Sequence, residues 1–224
     1  MTDIAVVDYG MGNLHSVATR LKQAAPGLVV TVTSDPAVVA CADRVVFPGQ
    51  GAMPDCMREL DAHGLRAAVL DAAYDKPFLG ICIGLQMLFA SSEEGAVACL
   101  NVLPGRVRRF AGAMVNAAGE RIKVPHMGWN RVRQAAAHPL WHNVADHAYF
   151  YFVHSYYVET SAPGLVAGSS DYPQPFTCAI ARDNVFAVQF HPEKSGADGL
   201  QLLQNFVQWQ PAARLARPRQ ALAG

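Results

Sequence analysis

The sequence predicts an α/β protein: an open, largely parallel sheet with helices on both faces and added antiparallel strands. Three observations carry that expectation. The first half alternates short β-branched runs with longer helical stretches, the rhythm of βαβ units. The second half turns β-rich, with turn signals between its strands. Between the two, Gly80-Ile81-Cys82-Ile83-Gly84 places a cysteine at a strand–helix junction, as in a nucleophile elbow on such a sheet.

Each element has its own reason. Residues 4–7 read as the first strand and 14–25 as a helix. Residues 28–33 form a strand, after which Ser34 or Asp35 caps a short helix through Ala40. Pro36 suits its first turn, where an N–H goes unpaired anyway. Residues 44–47 are a strand, one helical stretch surrounds 60–73, and 78–81 is the strand before Cys82, with a helix over 85–90. Residues 107–110, 149–158, 176–181 and 185–190 read as strands, and Arg182-Asp183-Asn184 joins the last two as a hairpin turn. Residues 200–209 are an amphipathic closing helix with Leu202, Leu203, Phe206 and Trp209 on its apolar face. Residues 1–209 are expected to form one domain. Residues 210–224, with Arg214, Arg217 and Arg219 and no acidic group, are expected to form a flexible tail, a partner contact being the alternative.

Composition excludes several functions. The 224 residues suffice for one large core. Formal net charge is zero, so no broad attraction to nucleic acid or an anionic membrane is expected. No apolar run reaches bilayer length and no basic-apolar signal pattern opens the chain. The five cysteines lack CxxC spacing and read as reduced thiols of a cytoplasmic protein, four of them packing residues. His126, His138, His142 and His147 crowd together without ligand spacing, so no metal and no cofactor is expected.

Cys82 is the candidate nucleophile. A side chain at Gly80 or Gly84 would crowd the turn, and glycine there also permits unusual backbone angles. The amino end of a helix favours thiolate. Such a thiol needs a base and an orienting group. Of eight histidines, His191 has the best context, ending an apolar strand in His191-Pro192-Glu193. Proline favours extended geometry before it, and in extended chain residues i and i+2 share a side, so Glu193 reaches the imidazole. Taken alone, a strand-end histidine and a solvated glutamate read as well. Gly49-Gln50-Gly51 is a second glycine-rich strand end, on the side of the sheet where α/β sites form. It is either a turn or, with the N–H of Ile83, a source of oxyanion donors.

These residues resemble the triad (class I) glutamine amidotransferase family. The resemblance runs from the first strand to about Trp209 and rests on Gly80-Ile81-Cys82-Ile83-Gly84-Leu85-Gln86 with His191-Pro192-Glu193. Asp8-Tyr9-Gly10-Met11-Gly12-Asn13, Pro125-His126-Met127-Gly128-Trp129-Asn130, Tyr151-Phe152-Val153-His154-Ser155-Tyr156 and His191-Pro192-Glu193-Lys194-Ser195 are similar to the glutaminase subunits of imidazole glycerol phosphate synthases. The resemblance implies glutamine as substrate and Cys82, His191 and Glu193 as the triad. It implies oxyanion donors from Ile83, Gln50 and Gly51, and glutamine binding by Gly49, Gly51, Gln86, His154, Ser155 and Tyr156. It also implies a heterodimer with a cyclase of (β/α)8 type that consumes the ammonia in histidine biosynthesis. Asn13, Trp129 and Lys194 are the expected interface residues; core packing is the alternative for Trp129 and a solvated side chain for Lys194.

Overall fold

The structure, a computed structural model, describes residues 2–112, 114–115, 119 and 122–217; Arg219 and the end of the expected tail lie outside the described residues. In chain order the elements are β1 (Ile4–Val7), α1 (Leu14–Ala24), β2 (Val30–Thr33), α2 (Pro36–Cys41), β3 (Arg44–Gly49), α3 (Met53–Ala62), α4 (Arg66–Asp75), β4 (Phe78–Cys82) and α5 (Ile83–Met87). Then follow β5 (Ser91–Ser92), β6 (Val97–Ala98), β7 (Gly105–Arg109), β8 (His126–Gln134), β9 (Ala148–His154), β10 (Tyr156–Thr160), β11 (Val166–Asp171), β12 (Pro175–Arg182), β13 (Val185–Val188) and α6 (Gly196–Gln208).

Strands β2, β1, β3, β4 and β13 lie side by side and parallel. Every residue of β1, β3, β4 and β13 is buried, which requires cover on both faces and explains their near-continuous apolar sequences. Helix α1 packs against α6, and α2 against α4. Beyond β13 the sheet turns antiparallel through β12, β10 and β7. A branch leaves β12 through β11 to β8, and β8 pairs with β9. The expected α/β architecture with antiparallel additions is present. Among the described residues no helix is long and apolar enough to cross a membrane.

Local chemistry explains most boundaries. Asp35 caps α2 by accepting the Ala37 N–H at 2.8 Å, with Pro36 in the first turn. Four expectations need correction. The helical stretch around 60–73 is two helices, because the chain turns at Gly64 with φ +66°. The strand expected over 149–158 divides at Ser155 into β9 and β10, which pair with different neighbours. The helix expected over 85–90 is the five-residue α5, because the carbonyls of Met87, Leu88 and Phe89 accept N–H groups from residues 100–103 instead of continuing the helix. Strands β8 and β11 were not anticipated: His126–Gln134 mixes aromatic, basic and amide side chains without clean alternation.

The start of the expected tail is packed. Leu215 is buried, and its N–H donates to Asn184 Oδ1 at 2.6 Å. Arg217 pairs with Asp71 and Asp75 and lies over the Tyr74 ring.

Candidate active site

Register brings the site together. Gly49 of β3 stands opposite Cys82 of β4, and Val188 of β13 opposite Ile81. The residues that follow β3, β4 and β13 therefore emerge side by side at the carboxyl ends of parallel strands. Sequence separation between Cys82 and His191 is spanned by this one pairing.

Cys82 has φ 55° and ψ −111°, a region that side chains rarely occupy. The unusual backbone thus sits on the cysteine itself. Gly80 and Gly84 have ordinary negative φ and serve another purpose. A Cβ on Gly84 would overlap the Phe47 carbonyl oxygen, and one on Gly80 would stand 3.0 Å from both Ala187 Cβ and Gly84 O. Glycine here lets α5 press onto β3 and hold the turn.

His191 lies in extended backbone, and its ring Nδ1 is 2.8 Å from Glu193 Oε1. The carboxylate accepts, so Nδ1 carries a proton and Nε2 is the nitrogen left to face Cys82. Glu193 reaches the ring through a 3₁₀ turn over Pro192–Lys194, not through the extended spacing expected. Both side chains are buried, as is Cys82. Burial alone would lower the His191 pKa; the Cys82 sulfur and the Glu193 carboxylate outweigh it and raise the value from 6.5 to about 10. Ser195 braces the turn. Its hydroxyl donates to His191 O at 2.6 Å and accepts the Tyr151 N–H at 3.0 Å, while the His191 N–H donates to Tyr151 O.

Cys82 and His191 face a cavity of about 250 Å³, the size of an amino acid rather than of a drug-like ligand. Gln50, Gly51, Ile83, Gln86, His154, Ser155 and Tyr156 line it too, so nearly all the expected residues converge here. Gly49 does not line it. It packs behind, where a Cβ would strike the Tyr9 hydroxyl and Ile83. Ile83 opens α5, where first-turn N–H groups lack a carbonyl within the helix. Gly51 has φ +118°, and the Gln50 carbonyl accepts from the Cys56 thiol at 3.7 Å. Burial raises the Cys56 pKa to about 11, so this thiol keeps its proton.

Gln86 is nearly fully buried. Its Nε2 donates to Tyr156 O at 3.0 Å and to Gln189 Oε1 at 2.9 Å, while its Oε1 has no partner. The other buried polar atoms here without a hydrogen-bond partner are His191 Nε2 and Glu193 Oε2. His154 belongs to a directional chain. Tyr156 O can only accept, so His154 Nδ1 donates to it at 2.7 Å, and His154 Nε2 accepts from His126 Nδ1 at 3.0 Å. His126 Nε2 then accepts from Asn130 Nδ2 at 3.2 Å.

Sequence reasoning missed Glu94, Pro125 and Val153 on the cavity wall, and Gln189 behind it. Glu94 is held by the Met53 N–H at 2.9 Å and is the acidic group on the cavity lining. Nothing local marks it: it sits in a Ser-Glu-Glu-Gly run that reads as a surface turn.

Outside the cavity, Trp129 is 55% exposed, which disposes of core packing. Met127 and Tyr149 are exposed on the same β8–β9 hairpin, where Met127, Trp129 and Arg131 pair with Val153, Tyr151 and Tyr149. Lys194 Nζ is 5.8 Å from the Tyr151 ring centre, at the edge of this apolar face. Asn13 is exposed and caps α1 by accepting the Ser16 N–H.

A cysteine beside a buried His–Glu pair, at the carboxyl ends of a parallel sheet, defines a thiol-dependent acyl-transfer class of site. The family model described as glutamine amidotransferase class-I matches residues 5–209. The chain belongs to that family. It is 66% identical over 212 residues to the imidazole glycerol phosphate synthase subunit HisH of Nitrosospira multiformis, covering 94% of this chain and all of that one. It is 66% identical over 209 residues to the protein of the same name from Dechloromonas aromatica, covering 93% of this chain and 97% of that one. Among solved structures, a glutamine amidotransferase from Thermotoga maritima shares the fold with a TM-score of 0.56, at 16% identity over 86% of this chain and 76% of that one. A second glutamine amidotransferase structure matches with a TM-score of 0.67, at 16% identity over 92% of this chain and 97% of that one.

Proposed function

We propose that this chain hydrolyses glutamine to glutamate and ammonia and supplies the ammonia to a partner cyclase, as the glutaminase subunit of an imidazole glycerol phosphate synthase. The observation that carries the reading is the meeting of Cys82 and His191 on one amino acid-sized cavity, with Glu193 buried behind the imidazole. The 66% identity to proteins named HisH supplies the substrate and the pathway, histidine biosynthesis.

The chemistry follows from the geometry. His191 Nε2 takes the Cys82 proton, and the sulfur attacks the amide carbon of glutamine. The carbonyl oxygen becomes an oxyanion facing the N–H groups of Ile83 and of the Gln50–Gly51 segment. Imidazolium, held by Glu193, returns the proton to the leaving nitrogen and ammonia departs. Water then attacks the γ-glutamyl thioester with His191 as base, releasing glutamate and restoring the thiol. Glu94 suits the α-ammonium of the substrate, Gln86 Oε1 accepts one of its donors, and His154, Ser155 and Tyr156 wall its amino-acid end.

The partner is a (β/α)8-type cyclase in a heterodimer, docked on the face of Met127, Trp129 and Tyr149 with Lys194 at its edge, and Asn13 is a further contact. Its product chemistry makes imidazole glycerol phosphate and an aminoimidazole carboxamide ribotide. The compartment is the cytoplasm, where five unpaired thiols persist. The test mixes the chain with a purified cyclase and its ribonucleotide substrate. Glutamine-dependent synthesis and covalent labelling of Cys82 by a diazoketone analogue of glutamine are expected. A complex that uses free ammonia but never glutamine would refute the reading.

A further inference from the structure

Gln189 takes no part in the steps above, yet it is fully buried between two groups that do. It follows β13 directly, so the strand register sets it beside the end of β4, and its backbone N–H is fixed on Cys178 O at 2.8 Å. Its side-chain Nε2 is 3.7 Å from Cys82 Sγ. Its Oε1 accepts from Gln86 Nε2 at 2.9 Å.

The orientation of both amides is fixed by a single carbonyl. Tyr156 O can only accept, so the Gln86 atom 3.0 Å from it must be nitrogen. That nitrogen also faces Gln189, which must answer with oxygen, and the Gln189 nitrogen is then turned to the sulfur. Flipping either amide sets two acceptors or two donors against each other. A buried amide costs free energy unless its hydrogen bonds are made, and an apolar side chain would fill the space without that cost. The sulfur is the partner that justifies Gln189.

We propose that Gln189 is a further catalytic residue: its side-chain N–H donates to the Cys82 sulfur and favours the thiolate over the thiol. The role rests on the glutaminase reading of the site. In proton terms, the S–H proton passes to His191 Nε2 and the charge left on sulfur is met by the Gln189 N–H. A donor to an ionised acceptor forms a stronger bond than one to a neutral acceptor, so the bond tightens as the thiolate forms. The other groups facing Cys82 are His191 after β13, Tyr9 after β1, Cys56 of α3, and Glu94 across the cavity. The variants below change none of these.

The experiment reads the thiol directly, without glutamine. The intact chain is alkylated with iodoacetamide across pH, and modification of Cys82 is followed by peptide mass. Gln189→Met keeps the volume and removes the donor; Gln189→Leu is the second variant, with circular dichroism confirming that both fold. Both are expected to raise the midpoint of Cys82 alkylation by about one pH unit, an approximately tenfold slower reaction at a fixed pH below it. Gln86→Met leaves the Gln189 donor in place but removes the group that orients it, and is expected to shift the midpoint by less than either Gln189 variant. Wild-type profiles in both folded Gln189 variants would overturn the proposal. So would an equal shift in Gln86→Met, which would trace the effect to Gln86. If the wild-type complex fails to hydrolyse glutamine, the functional reading falls, while the alkylation profile still decides the role of Gln189.

Discussion

At the scale of the residue, the backbone of Cys82 is the site's most unusual feature. A non-glycine residue at φ 55°, ψ −111° costs on the order of 1–3 kcal/mol, and α5 packed on β3 holds it there. Cys82→Gly should therefore be more stable than Cys82→Ala by about 1 kcal/mol, reversing the usual order. Equal denaturation midpoints, or a more stable alanine variant, would contradict strain at this position. Both variants should lose glutamine-dependent synthesis and keep ammonia-dependent synthesis by the complex. His191→Ala should cost more activity than Glu193→Gln, because glutamine still offers an oxygen to His191 Nδ1 at the position that now accepts at 2.8 Å. Thioester formation surviving in His191→Ala would move the base elsewhere. The candidate nucleophile was legible because a glycine-flanked cysteine between a strand and a helix has few other uses. Gln189 was hidden, since one glutamine in an apolar run looks like a pleat position and only register shows what it faces.

At the scale of the element, the β8–β9 hairpin links an exposed apolar face to the cavity wall through buried histidines. Burial holds His126 near a pKa of about 4 and His154 near about 3, against 6.5 in the unfolded chain. Both rings are neutral in the fold, and the chain from Asn130 to Tyr156 O uses every ring nitrogen of the pair. Below pH 6.5 the unfolded chain binds protons at these positions and the folded chain does not. Stability is thus fully present above 6.5 and is lost as pH falls toward about 4, at up to about 1.4 kcal/mol per pH unit per histidine. The melting temperature should fall over that interval, and His126→Gln should flatten the slope. A melting temperature unchanged from pH 7 to 4 in the wild type would show that these rings are not held neutral. The parallel half of the sheet was readable from β-branched runs bounded by turns. Strand β8 was not, because its exposed positions include the apolar Met127 and Trp129, and this erases the alternation expected of a half-buried strand.

At the scale of the whole molecule, two segments far apart in sequence govern the two ends of the sheet. Residues 211–217 return to the Asn184 turn, where Leu215 is buried; removing the chain after Gln210 should lower the melting temperature by about 5 °C and leave turnover unchanged. An unaltered melting temperature would mean that this contact adds nothing. At the opposite end, the Gln50–Gly51 segment lines the cavity, and here the sequence expectation of a peptide freed by glycines on both flanks changes. Gly49 belongs to β3 and is packed on Tyr9 and Ile83, so rotation is available only at Gly51, whose φ of +118° no side chain tolerates well. The Cys56 thiol holds the Gln50 carbonyl, and a single weak sulfur bond opposes reorientation of that peptide. A glutaminase that released ammonia with no consumer would waste glutamine. Docking at Trp129 and Lys194 is therefore expected to raise a low isolated activity, most when the cyclase holds its ligand. Gly51→Ala should suppress that rise, because a side chain at φ +118° is strained and narrows the arrangements open to the segment. Steady-state glutaminase assays decide the matter: equal kcat for the isolated chain and the liganded complex would mean that the oxyanion donors stand ready without the partner.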